Sequence, residues 1–372
     1  MQIPRSYIEA YSAALNGVAN QGKEALAKAL EQVDYSRPVV EVRAEVVAIM
    51  QQACGASSTV AARLAADFYD GLRDRFGIGD GFFAEVDSGR DPNATEGAVR
   101  AFADSLCGEP DVDKFKGKCI ERLDSETRNA ANKCVFRNVK QDPRKPKWAR
   151  VPIGAGTCDF CIMLAGRGFV YHSDEMATHS HPNCDCRVIP SWDKEGASVE
   201  GYYPKEYYDI WKHPGIYKGL DETTKMSLAA CRVAQENGLA IYKKPLGSFL
   251  ATDEGKRDLF AHAALAHGGI AYTALSEDSP EGYSNIDLLI DGDKWEVKSP
   301  DGDNPRAVET RLRRAKDQFE KNYPKPIEMV RVIFNGRFYG KSDDWTMQKI
   351  EFEKAHHGIS EVMFVGKDGN IR

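Results

Sequence analysis

Apolar residues over the first 140 positions recur three or four apart, the spacing of helices that bury one face. Successive amphipathic segments run from about Arg5 to Gln32, Pro38 to Gln52, Ser58 to Phe76, Thr95 to Leu106 and Val112 to Val139. Breaks rich in Gly and Asp, such as Gly77-Ile78-Gly79-Asp80-Gly81, separate them, and Ser57 or Ser58 is placed to cap the third. The pattern predicts a helical assembly module with no catalytic cluster of its own. Beyond residue 250 the periodicity changes. Thr252-Asp253-Glu254 reads as a helix start, Leu259, Phe260, Ala263 and Ala264 continue it, and Gly268-Gly269 stops it. Ile270 to Leu275 reads as a strand, and Ile286 to Lys298 as a hairpin. Pro305 opens a helix with Val308, Leu312, Ala315 and Phe319 at helical spacing. Val330 to Phe334 and Val362 to Val365 read as strands flanking a helix around Trp345 to His356. The predicted order is α, three strands, α, β, α, β.

The hairpin carries the chemistry. If Asp291-Gly292 is a two-residue turn with positive φ at both positions, Ile290 pairs with Asp293, Leu288 with Trp295 and Ile286 with Val297. Asp287 then falls opposite Glu296. One face is apolar, while the other carries Asp287, Glu296 and Lys298. Like charges opposed across a ladder destabilise it, so a divalent cation is the natural third party. Mg2+ or Mn2+ suits an all-oxygen site and would activate water for phosphodiester hydrolysis, with Lys298 stabilising the developing charge. The plainer alternative is a half-buried hairpin whose polar face is simply wet.

With its order of elements, this segment resembles the PD-(D/E)xK nucleases of restriction-endonuclease-like fold, and among them the C-terminal nuclease toxins of contact-dependent inhibition proteins, many of which cut tRNA. The resemblance covers about residues 222 to 372 and rests on Glu254, Asp287 and Glu296-Val297-Lys298 with the trailing Ser299-Pro300. It implies that Glu254, Asp287 and Glu296 assist metal binding and that Lys298 is the catalytic lysine. Ile286 stands where the named pattern has proline. The helix after the hairpin carries Arg306, Arg311, Arg313, Arg314, Lys316 and Lys321, either a solvated charged face or a row that attracts a polyanion beside the site. Gln318 could face the site from the same helix.

Composition places these motifs. A chain of 372 residues exceeds what one core usually covers. A net charge of −6 argues against whole-chain nucleic-acid coating, so such binding must be local. No apolar run approaches the roughly 20 residues needed to span a bilayer, and Met1-Gln2-Ile3-Pro4 opens no signal peptide. Four of nine cysteines cluster as Cys158-x-x-Cys161 and Cys184-x-Cys186. Two close pairs around a loop suit a tetrahedral, structural Zn2+ site, expected to use Cys158, Cys161 and Cys186 with Cys184 or His181 as the fourth ligand. Cys54, Cys107, Cys119, Cys134 and Cys231 fall in helical patterns and read as buried free thiols. The string His181-Pro182-Asn183-Cys184-Asp185-Cys186-Arg187, preceded by the Cys-x-x-Cys, resembles the signature of MuF-like phage minor head proteins over about residues 90 to 195, although Asp185 stands where arginine is usual. That resemblance implies a capsid-interior component near the portal, without enzyme activity of its own.

The expected protein is therefore multidomain. A mainly α N-terminal module with a small zinc-stapled α+β segment occupies 1–195, an aromatic-rich connector 196–244, and an α/β restriction-endonuclease-like domain 245–372. The function read from it is that of a phage minor head protein carrying a metal-dependent nuclease toxin, with tRNA favoured as substrate. Its expected partners are portal and capsid proteins and a cognate immunity protein, with no membrane, and its expected locations are virion and host cytoplasm. The alternatives are a DNase of genome processing and a structural head protein with an inert tail.

Overall fold

A computed structural model describes residues 2–154, 157–170, 179–193, 198–275, 287–322 and 329–372. The predicted Ile286 pairing lies outside these residues. The chain divides into two compact units, Met1–Pro204 and Lys205–Arg372.

The first unit is built on α1 (Arg5–Glu31), α2 (Val39–Arg75), α3 (Pro92–Phe102) and α4 (Val112–Gln141). Leu26, Leu30, Val42, Val46, Met50, Phe115 and Leu123 form a shared core. The break expected between residues 52 and 58 is absent, because α2 runs straight through it. Ser57 and Ser58 are buried inside the helix and cap nothing. The small residues serve close packing instead: a Cβ on Gly22 of α1 would meet Ser57 Oγ at 2.5 Å. Helix α3 ends at Phe102 and continues as a 3-10 turn, Ala103–Leu106, which leaves Cys107 exposed; the other four expected buried thiols are buried. After α4, Asp142 accepts from Tyr69 Oη at 2.9 Å and Trp192 Nε1 at 3.0 Å and pairs with Arg73, all within the interior. Strands β2 (Lys147–Pro152) and β3 (Cys186–Ser191) pair antiparallel, with α5 (Asp159–Ala165) between them in sequence. The short β1 (Gln2–Ile3) and β4 (Ser198–Val199) pair in parallel.

The second unit holds α6 (Pro204–Lys212), α7 (Pro214–Tyr217), α8 (Glu222–Glu236), β5 (Ala240–Tyr242), α9 (Asp253–His267), β6 (Tyr272–Ala274), β7 (Leu288–Ile290), β8 (Asp293–Lys298), α10 (Ala307–Asn322), β9 (Arg331–Asn335), α11 (Asp343–His357) and β10 (Glu361–Val365). The segment read as a connector thus contributes α8 and an edge strand. The sheet order is β10-β9-β8-β7-β6-β5, antiparallel across β6-β7-β8 and parallel elsewhere. One face packs Leu288, Trp295, Val297 and Ile333 against Ala234, Ala261 and Leu265 of α8 and α9. The other packs Val332 and Phe334 against Val308, Leu312, Phe319 and Ile350 of α10 and α11. Thr252 caps α9, its side chain accepting from the Gly255 N–H. Helix α10 starts two residues later than Pro305, because Asn304 forms a turn that accepts from the Arg306 and Ala307 N–H groups. Among the described residues no helix is long and apolar enough to cross a membrane.

Candidate functional site

The hairpin has the register its turn dictates. Asp291 and Gly292 take φ of 51° and 84°, and Leu288 pairs with Trp295, Leu289 with Lys294 and Ile290 with Asp293. Asp287 stands just before β7, where its Oδ2 accepts from the Val297 N–H at 2.8 Å. Glu296 is 1% exposed, while Asp287 and Lys298 are half-buried, and α10 packs on this side of the sheet. Lys298 pairs with Glu296 Oε1, and Gln318 approaches the same carboxylate from α10.

Helix α9 brings two acids to this hairpin. Glu254, in the first turn, is exposed and pairs at 3.4 Å with Arg311 of α10. Asp258, one turn further on, is held by Ser299 Oγ at 2.7 Å. Asn335 then donates to both Ser299 Oγ (3.1 Å) and the Arg257 carbonyl (2.8 Å), fixing helix, hairpin and β9 together. Asp258 is absent from the expected site, although its i, i+4 spacing from Glu254 was there to be read.

The electrostatics are those of a crowded acid cluster. Burial, then Asp287, push Glu296 up to about 8 against the pull of Lys298 and Gln318. Burial, then Asp287, push Asp258 up to about 7 against Ser299 and Lys298. Asp287 is also raised by burial, opposed by Lys298, the Val297 N–H and Lys244. Three raised carboxyls in one patch are short of positive charge. Glu296 Oε2 is buried and accepts no hydrogen bond among the described residues. Oxygen donors of this kind suit a divalent cation by their chemistry, but among the described residues it is the cysteine and histidine donors of the first unit, not these carboxylates, that are drawn into groups of metal-binding size.

Of the cationic residues, Arg311 is half-buried, Arg313 and Arg314 are exposed on α10, and Arg306 is exposed just before the helix. The Lys321 side chain lies outside what the structure describes.

In the first unit the five predicted donors are gathered into two triads that share Cys161: Cys158, Cys161 and His181, and Cys161, Cys184 and Cys186. Ligand atoms within each triad lie within 4.8 Å of one another. Cys158 stands at the N-cap position of α5, Cys161 lies on that helix, and Cys184 and Cys186 lie at the entry to β3. The Cys161 and Cys184 sulfurs are 3.7 Å apart, and thiolates bound tetrahedrally to zinc at ~2.3 Å stand roughly 3.8 Å apart. His181 Nε2 is 3.0 Å from Cys158 Sγ. The neighbouring Cys161 and Cys186 pull the Cys184 thiol well below its usual range, while Cys161 itself is pushed up to about 12. This cluster can hold a metal ion such as zinc.

Around it stand three buried arginines. Arg150 Nη2 donates to the His179 carbonyl (2.9 Å), Ser180 Oγ (3.0 Å) and Cys184 Sγ (3.4 Å). Arg187 donates to the Cys184 and Cys186 carbonyls at 3.0 and 2.9 Å. Arg128, held by Asp124, also donates to the Cys184 carbonyl at 3.0 Å. Asn183 takes φ of 59°, and its N–H reaches Asp124 at 2.7 Å, which bolts the turn to α4. Nothing in the cysteine spacing announces Arg128 and Arg150, which come from distant segments.

A family profile described as VG15 protein matches residues 2–213. No curated protein and no solved structure matches the chain.

Proposed function

The chain belongs to the VG15 protein family, a viral gene family, and from that premise we propose that it is a phage-encoded minor head protein of the MuF-like kind whose C-terminal unit is a metal-dependent nuclease. The observation that carries the nuclease reading is the meeting of Asp287, Glu296 and Lys298 on one hairpin with Asp258 and Glu254 from α9, beside the arginines of α10. The order of helix, three strands, helix and strand supports a restriction-endonuclease-like fold. The cluster of cysteine and histidine donors supports a structural Zn2+ that staples the head module.

Asp287 and Glu296 would hold a Mg2+ or Mn2+ ion, with Asp258 and Glu254 on the α9 side. When bound, that ion supplies charge neutralisation at the phosphate and acidifies water. Lys298, parked on Glu296, is positioned to donate to the oxygen on which charge develops. The Val297 N–H fixes Asp287, and Gln318 steadies Glu296, so both carboxylates are oriented before substrate arrives. Arg311, Arg313 and Arg314 would hold the backbone of the nucleic acid, with tRNA favoured. A role in the capsid interior near portal proteins, action in host cytoplasm and inhibition by a cognate immunity protein covering the Asp287 site follow from pairing these modules.

The test is cleavage by the full-length protein of labelled tRNA and duplex DNA, with Mg2+ or with EDTA. RNA cleavage that needs the ion and disappears in Glu296→Gln and Lys298→Ala is expected. Cleavage of duplex DNA alone would make the protein a DNase of genome processing, and no cleavage of either would leave a structural head protein with an inert tail.

A further inference from the structure

We propose that Lys244 is a second phosphate-binding cation of the C-terminal site, gripping the nucleic-acid backbone next to the scissile phosphate; this rests on the nuclease reading above. In the sequence Tyr242-Lys243-Lys244-Pro245, β5 ends at Tyr242 and Pro245 turns the chain into a 3-10 helix, Leu246–Ala251. Tyr242 pairs with Ala274, and Ala274 with Leu288. One rung on, the Lys243 N–H donates to the Ala274 carbonyl at 2.8 Å and the Leu275 N–H to the Asp287 carbonyl at 2.9 Å. The end of β5 is therefore two strands from Asp287, roughly 10 Å at the usual strand spacing.

The ammonium is held in place. Lys244 Nζ lies 4.2 Å from the centroid of the Phe249 ring. Phe249 is buried and packs on His262 and Tyr242 at 5.1 and 6.2 Å between centroids. Its carbonyl sits against Gly255, where any Cβ would collide with it. Lys244 thus stands on an aromatic pedestal fixed to the first turn of α9, which carries Glu254. Its charge is felt by Asp287 and His262, yet among the described residues it closes no ion pair. A lysine serving only to balance the carboxylates would dock on one of them, as Lys298 does on Glu296. Among the described residues the Lys244 ammonium makes no hydrogen bond, and a point charge of that kind is suited to receive a phosphate oxygen.

The experiment uses full-length protein with fluorescein-labelled tRNA, first in EDTA or Ca2+ to read binding, then in Mg2+ to read cleavage. Lys244→Met should weaken binding about 5- to 10-fold and reduce the slope of log affinity against log salt by about one, and Lys244→Arg should restore both. Wild-type affinity and salt slope in Lys244→Met, with an unchanged melting temperature, would overturn the proposal, as would a wild-type chain that binds no tRNA. Normal binding effects in a chain that never cleaves would instead sink the nuclease reading and leave the phosphate contact standing.

Discussion

The main-chain N–H of Val297 donates to Oδ2 of Asp287, so the backbone of the strand that carries Glu296 and Lys298 also aims the neighbouring carboxylate. An amide oxygen can accept the same bond. Asp287→Asn should therefore keep the melting temperature within about 2 °C of wild type while cleavage falls at least about 100-fold, since mutations that spare packing leave stability near unchanged. A variant that melts early and loses activity in proportion would mean that Asp287 is structural.

The two acids of α9 should separate. Glu254 is exposed and already occupied by Arg311, whereas Asp258 is tied to Ser299 in the electrostatic field of Asp287. We expect Glu254→Gln to lower cleavage less than about fivefold and Asp258→Asn by roughly 50-fold or more, a difference of over 1.4 kcal/mol in transition-state stabilisation. Kinetics of the two variants under identical Mg2+ decide it, and the reverse ranking would restore Glu254 as the principal helix carboxylate.

His262 sets a pH dependence. Burial first, then Lys244, pull its pKa down to about 3, below the usual 6.5. The folded value lies below the unfolded one, so the unfolded chain takes up the proton first as pH falls. The stability contributed is complete above pH ~6.5 and is lost progressively down to about pH 3, by at most ~1.4 kcal/mol per pH unit. Urea melts at pH 7 and pH 4.5 should show a smaller acid loss for His262→Gln than for wild type. Equal losses would assign the acid sensitivity to other groups.

Gly255 is a packing glycine. A methyl there meets the Phe249 carbonyl, so Gly255→Ala should cost about 1–3 kcal/mol despite its better helix propensity. Thermal melts check this, and a stabilised variant would show that the 3-10 segment can move away.

Metal analysis of the purified protein should give about one zinc per chain. Cys161, shared by both triads, should be the least replaceable donor, so Cys161→Ser should lose the ion while His181→Ala retains most of it. A zinc content near zero in the wild type would refute the staple.

Local rules made much of this legible. Asp291-Gly292 fixed the hairpin register because few residue pairs adopt positive φ twice, and the Cys-x-x-Cys and Cys-x-Cys spacings drew the donors to one place. What stayed hidden depends on packing between distant segments. The run Ala53 to Ser58 resembles a break and a cap by composition, yet it lets α2 approach Gly22 without interruption. Asp258 reads as one more charge on an exposed helix until Ser299 and Asn335 close on it, and Lys244 stands out only once Phe249 lies beneath it.

Asp142 joins Tyr69 and Arg73 of one helix to Trp192 of a strand end more than a hundred residues away in sequence. In many small proteins a disulfide makes such a link, but none of the nine cysteines here is in a disulfide. The cross-link is therefore ionic and hydrogen-bonded, indifferent to glutathione. A protein built this way can pass between oxidising and reducing surroundings with its helices still fastened, and its points of chemical vulnerability are the cysteine cluster and the exposed Cys107.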